Sequence, residues 1–170
     1  MKMLGRVLGF IDKVSIWSGK VMAYMLVPLI VVLAIGVIAR YVFNDPLVWT
    51  HETSLFMFGG IGVLVGAAVL QMGAHVKVDI VYSRLSLRGK AAVDAITALL
   101  ALYFIAILLW QGSGFALYSI AITEHTGSVW GPVVYPFKTV IPVAAFLILL
   151  QGLAKFTRDL IFAIRGKALS

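Results

Sequence analysis

Long apolar runs separated by short charged segments dominate the chain. A helix needs about 20 mostly apolar residues to cross the hydrocarbon core of a bilayer, which is about 30 Å thick. Four runs meet this requirement, at about residues 21–39, 53–74, 91–122 and 137–154. The pattern therefore predicts an all-α membrane protein with four transmembrane helices, organised as a single membrane domain over residues 1–170.

Basic residues are segregated between alternating loops. Two of the 14 Lys and Arg residues are set apart from the rest. Arg40 lies in the loop after the first run, and Lys138 lies where the fourth run begins. All the others lie in the N-terminal segment, the second loop region and the C-terminal tail. Because cytoplasmic segments carry an excess of Lys and Arg, both ends are predicted to be cytoplasmic. We expect an N-in, C-in, multi-pass protein of a bacterial inner membrane.

The first twenty residues have a two-sided pattern of their own. On a helical wheel the basic residues Lys2, Arg6, Lys13 and Lys20 fall within about 40° of one another, opposite a face of Leu and Val. This pattern predicts an amphipathic helix over residues 1–20 that lies in the headgroup layer and contacts membrane lipid. The alternative is a first span that extends into the cytoplasm.

Composition narrows the function classes. The chain is 62% apolar with a mean hydropathy of +1.04, against about 45–50% apolar in soluble domains. Its charge clusters follow the topology, so no nucleic-acid partner is predicted. The chain has no Cys, which excludes disulfides and thiolate metal sites. The three histidines and all charges fall at or beyond the ends of the predicted spans. We therefore predict no cofactor in this chain and no enzymatic activity.

The segment between the first two spans carries candidate contact residues. Arg40 ends the first span and Glu52 begins the second, with Trp49 as an interfacial anchor between them. The two charges could pair with each other or with a partner subunit across a partly desolvated surface. The alternative is that both merely mark the edge of the bilayer.

Glycines in the second span indicate a packing face. Gly62 and Gly66 form a small-xxx-small pair, which lets helix backbones approach closely in lipid. The sequence leaves open whether this face meets another helix of the chain or a different protein. After the span, His75 and Asp79 alternate with apolar residues and are predicted to form a hydrogen-bonded junction at the cytoplasmic face. A metal or proton-relay role would need further ligands.

Several motifs together resemble one transporter family over nearly the whole chain. They are four N-in spans at this length, the sequence RYVFNDPLVWTHE at residues 40–52, the run G-x-x-V-G-A-A late in the second span, and GAHVKVDI at residues 73–80. These motifs resemble the small permease (Q, or DctQ-type) subunit of tripartite ATP-independent periplasmic (TRAP) transporters. The chain departs from the family at two points. It has His51 just before the glutamate, where the family often has a second acidic residue, and Phe56 in the second span, where the family often has a Trp.

The resemblance implies a subunit that scaffolds and stabilises a large M-type permease subunit. That partner would hold the substrate and sodium sites for sodium-coupled uptake of an organic anion, a carboxylate or sulfonate, delivered by a periplasmic substrate-binding protein. The alternative is a self-contained small transporter or channel, homo-oligomeric, with a pore built from the glycine faces.

Overall fold

A computed structural model describes residues 2–72 and 87–165. This part of the chain forms five helices. They are α1 (Lys2–Tyr41), α2 (Val48–Leu64), α3 (Gly66–Gln71), α4 (Leu87–Ala121) and α5 (Tyr135–Arg165). Four stretches are long and apolar enough to cross a membrane, namely Gly5–Tyr41, Val48–Gln71, Ile96–Ala121 and Tyr135–Arg158. The prediction of an all-helical protein with four membrane-crossing helices is confirmed.

Helix α1 is continuous over its 40 residues. At 1.5 Å per residue it is about 60 Å long, roughly twice the thickness of the hydrocarbon core. Residues 2–20 and the predicted span that follows are therefore parts of one helix. The amphipathic helix over residues 1–20 that lies in the headgroup layer stays a prediction.

Helices α2 and α3 act as one crossing with a local irregularity at Val65. The Val65 N–H donates to the Ile61 carbonyl at 3.1 Å, and the Val69 N–H donates to the Val65 carbonyl at 3.0 Å. Both are ordinary α-helical bonds on either side of the irregular residue. The axis thus runs on from Val48 to Gln71 as a single membrane-crossing stretch.

Helix α5 lies at the centre of the bundle. It packs against α1, α2, α3 and α4, whereas α4 packs mainly against α5. The buried apolar side chains of the described bundle are mostly alanines, and many large apolar side chains are exposed. This distribution suits a membrane, because small residues let helices approach closely and lipid covers the large ones.

A Schellman motif ends α4 and sets the course of the following loop. Thr123 adopts a left-handed conformation with φ 48°, and its N–H donates to the Ile120 carbonyl at 3.1 Å. The Glu124 N–H donates to the Ser119 carbonyl at 3.0 Å. These two bonds satisfy carbonyls that the end of the helix leaves open. They also bring Glu124 back over the end of the bundle.

Candidate functional site

Glu52 takes part in a polar cluster at the end of the bundle where α2 begins. Its carboxylate accepts a hydrogen bond from the Thr126 hydroxyl at 3.1 Å, although the two residues are far apart in sequence. Helix α2 begins at Val48, so Glu52 lies beyond the first turn and gains little from the helix dipole.

The sequence suggested Arg40 as one possible partner of Glu52. Among the described residues the ion pairs are Lys138 with Glu124 and Arg158 with Asp12, so Arg40 and Glu52 do not form one. Arg40 is exposed at the end of α1, and Trp49 is 36% exposed on the first turn of α2. Both side chains are therefore open to lipid or to a partner.

Lys138 ties the loop between α4 and α5 to the bundle. Its ammonium group donates to the Glu124 carboxylate and lies 3.9 Å from the centre of the Phe115 ring. The hydrogen bond from Lys138 lowers the pKa of the Glu124 carboxyl below its usual value. We call Glu52, Glu124, Thr126 and Lys138 the loop cluster.

The loop itself is folded around internal hydrogen bonds. The Val134 N–H donates to the Glu124 carbonyl at 2.8 Å, and the Thr126 N–H donates to the Pro132 carbonyl at 3.0 Å. At the tip, Val129 and Trp130 are 95% and 45% exposed. The loop thus presents an apolar tip on an ordered base.

The two glycines of the predicted packing face have different surroundings. A Cβ added at Gly66 would lie 2.8 Å from Ile148 on α5, so this glycine packs within the chain. A Cβ added at Gly62 would meet no atom of the described residues within 4 Å. Gly62 lies on one helical face with Leu55 and Phe58, both more than half exposed. We call Leu55, Phe58 and Gly62 the open surface of α2.

A second polar cluster lies at the opposite end of the bundle. The Asp12 carboxylate accepts hydrogen bonds from both terminal nitrogens of Arg158, at 3.1 and 2.6 Å, and from the Gln151 amide at 2.9 Å. The Gln151 carbonyl oxygen accepts from the Ser15 hydroxyl at 2.9 Å. We call these four residues the polar clasp.

Sequence reasoning missed the polar clasp, although it contains two signals. Asp12 is the only acidic residue among the first forty, and Gln151 is a lone amide in a long apolar run. The other two candidates, His75 and Asp79, lie outside the described residues.

Comparison with protein families places the chain. The profile of the family described as "Tripartite ATP-independent periplasmic transporters, DctQ component" matches residues 29–161. The chain belongs to the DctQ family. It is therefore the small permease component of a TRAP transporter, in agreement with the resemblance noted from the sequence motifs. A comparison with curated proteins finds no match.

The family match covers most, but not all, of the polar residues described above for this DctQ subunit. The matched residues include the loop cluster, the open surface of α2, Gln151 and Arg158. Asp12 and Ser15 precede them. Family membership therefore accounts for the bundle from Leu29 onward, and the N-terminal half of α1 has to be understood from its own contacts.

Proposed function

We propose that this DctQ subunit scaffolds the large M-type membrane subunit of a TRAP transporter through the open surface of α2. In this account the large subunit holds the sodium and substrate sites and carries out sodium-coupled uptake of an organic anion, a carboxylate or sulfonate. The subunit resides in the bacterial inner membrane with both ends in the cytoplasm, as its distribution of basic residues indicates.

The observation that carries the proposal is the bare backbone at Gly62. Helices in lipid associate through close van der Waals packing, because lipid tails are as apolar as their side chains. Gly59 and Gly66 on the same helix already face Phe137 and Ile148 of this chain. Gly62 has no such neighbour in the described bundle, which leaves it free to receive a helix of another subunit.

The folded loop between α4 and α5 supports a second contact. On the predicted topology it faces the periplasm, where the substrate-binding protein would approach. Its exposed Val129 and Trp130 stand on a base fixed by Lys138 and Glu124. We propose that the binding protein reaches this loop when it delivers the substrate.

Three substitutions on one helical stretch test the open surface. Gly62→Leu is expected to reduce co-purification with the large subunit by about tenfold or more, without lowering the thermal midpoint of the isolated chain. Gly60→Leu is the matched control, because an added Cβ at Gly60 also meets no described atom within 4 Å but lies on the other side of α2. It should lower neither measurement.

Gly66→Leu provides the opposite comparison. Its side chain would collide with Ile148, so it should lower the stability of the isolated chain by about 1–3 kcal/mol. If Gly62→Leu co-purifies with the large subunit as well as the wild type does, the open surface of α2 is not the interface.

A further inference from the structure

The polar clasp joins the first helix of the chain to the last. We propose that it is a latch that holds the N-terminal half of α1 upright against α5. The N-terminal half of α1 then belongs to the bundle and does not lie flat in the headgroup layer. This inference goes beyond the proposed function and does not depend on a partner subunit.

The hydrogen bonds of the clasp form a continuous chain. Gln151 is 2% exposed and uses both ends of its amide, since the oxygen accepts from Ser15 and the nitrogen donates to Asp12. Ser15 is 1% exposed. A buried amide with only one of these partners would leave a costly unsatisfied group. Each contact between α1 and α5 therefore supports the next.

The position of the clasp along α5 places it at one boundary of the hydrocarbon core. From Tyr135 to Gln151 the helix rises about 24 Å, and from Tyr135 to Arg158 about 35 Å, against a hydrocarbon thickness of about 30 Å. Gln151 thus lies inside the boundary and Arg158 just outside it. An unpaired charge next to the hydrocarbon is unfavourable. Asp12 and Arg158 thus depend on each other.

A second contact fixes the same half of α1. A Cβ added at Gly19 would lie 2.6 Å from the Cβ of Ala68, so α1 and α3 are in close backbone contact there. No proline interrupts α1 before Pro28, and the helix continues without a break through residue 20.

The side of α1 that faces away from the bundle also suits an upright helix. Phe10 and Trp17 are both 67% exposed, and Lys13 and Lys20 are exposed as well. Aromatic rings and long basic side chains are typical of the boundary between acyl chains and headgroups. On an upright helix the long side chains of Lys13 and Lys20 extend along α1 toward the headgroups.

Removing the charges singly and together tests the latch in the full-length chain. Asp12→Asn and Arg158→Leu each leave one charge unpaired, so each should lower the thermal midpoint by about 6 °C or more. Asparagine keeps an oxygen that accepts from the Gln151 amide, so only the charge is lost. The double variant removes both charges and should recover at least half of that loss. Lys13→Leu, an exposed neighbour of Asp12, should match the wild type. A double variant as unstable as the worse single variant would overturn the latch, and so would single variants that match Lys13→Leu.

Thiol crosslinking tests the upright position without changing a residue of the clasp. Val14 on α1 and Leu150 on α5 line one cavity between the two helices. The chain has no Cys, so Val14→Cys with Leu150→Cys creates the only thiols. A short bifunctional thiol reagent should link them in native membranes. Lys13→Cys with Leu150→Cys is the control and should stay unlinked, because Lys13 is exposed. If the Val14 and Leu150 thiols fail to link and both react freely with an alkylating reagent, α1 does not stand against α5 and the proposal is wrong.

Discussion

Single polar side chains fix the two ends of this bundle. At one end Lys138 forms an ion pair with Glu124 and lies over the Phe115 ring, and at the other end Arg158 forms an ion pair with Asp12. The first pair ties the loop after α4 to α5, and the second joins α1 to α5, in a bundle whose buried apolar residues are mostly alanines. Polar contacts therefore supply specificity that the apolar surfaces do not.

The ion pair of the loop cluster predicts a stability that depends on pH. Because the folded pKa of Glu124 is lowered by Lys138, its contribution is present at neutral pH and above its usual pKa of about 4.5. It is lost as the pH falls through the lowered folded value. Thermal unfolding between pH 7 and pH 3 should show a smaller acid-induced drop for Glu124→Gln than for the wild type.

The control for this measurement is Glu52→Gln, which changes a neighbouring carboxylate that has no ion pair in the described part of the chain. It should retain the acid-induced drop attributed to Glu124. If Glu124→Gln loses as much stability on acidification as the wild type does, the Lys138 contact is not the cause.

Partners of single polar residues were the hardest feature to predict from the sequence. Arg40 and Glu52 bracket the first loop, which favours a mutual pair, yet Thr126 from a distant loop bonds to Glu52. Asp12 lies between the basic and apolar faces of its helical wheel, where a charge is easily taken for a solvated one. Local spacing states which residues share a face, but tertiary packing decides which faces meet.

At the scale of helices, close contacts at glycine determine which elements pack together. Gly36 on α1 faces Thr50 on α2, and Gly152 on α5 faces Leu102 on α4. These contacts lie along the helix pairs that pack most closely. Glycine thus takes the role that large apolar residues have in a soluble core.

Helix α4 offers a matched pair of glycines for testing this packing. Gly112 is buried, and a Cβ there would lie 3.2 Å from Ile141 on α5. Gly114 is exposed, and a Cβ there would meet no atom within 4 Å. Leucine at either site raises helix propensity equally. Gly112→Leu should therefore be less stable than Gly114→Leu by about 1–3 kcal/mol in thermal or denaturant unfolding. Equal stabilities would contradict the close approach of α4 and α5.

The number of membrane-crossing helices could be predicted from the sequence. An apolar run that crosses a bilayer must satisfy its backbone hydrogen bonds internally, which leaves few structures other than a helix. The sequence did not predict which glycines of the second span pack within the chain and which are left open. Gly62 and Gly66 share a spacing motif, but of the two only Gly66 meets another helix among the described residues. Glycine spacing indicates that close packing is possible, and the partner depends on how the other helices are arranged.

The described bundle combines helices packed around α5 with surfaces that its own helices leave open. Residues 29–161 match the DctQ family and include most of the four crossings. The open surface of α2 and the exposed loop tip point away from this centre. In our account these features make the chain a support for a transporting partner.

Reconstitution into liposomes tests the central claim that this chain supports transport without carrying it out. With a sodium gradient and labelled organic anions, the purified chain alone should give no uptake above empty liposomes. The same chain with its large membrane subunit and substrate-binding protein should give sodium-dependent uptake. Sodium or substrate flux through the chain alone would contradict the account and favour a self-contained transporter or channel.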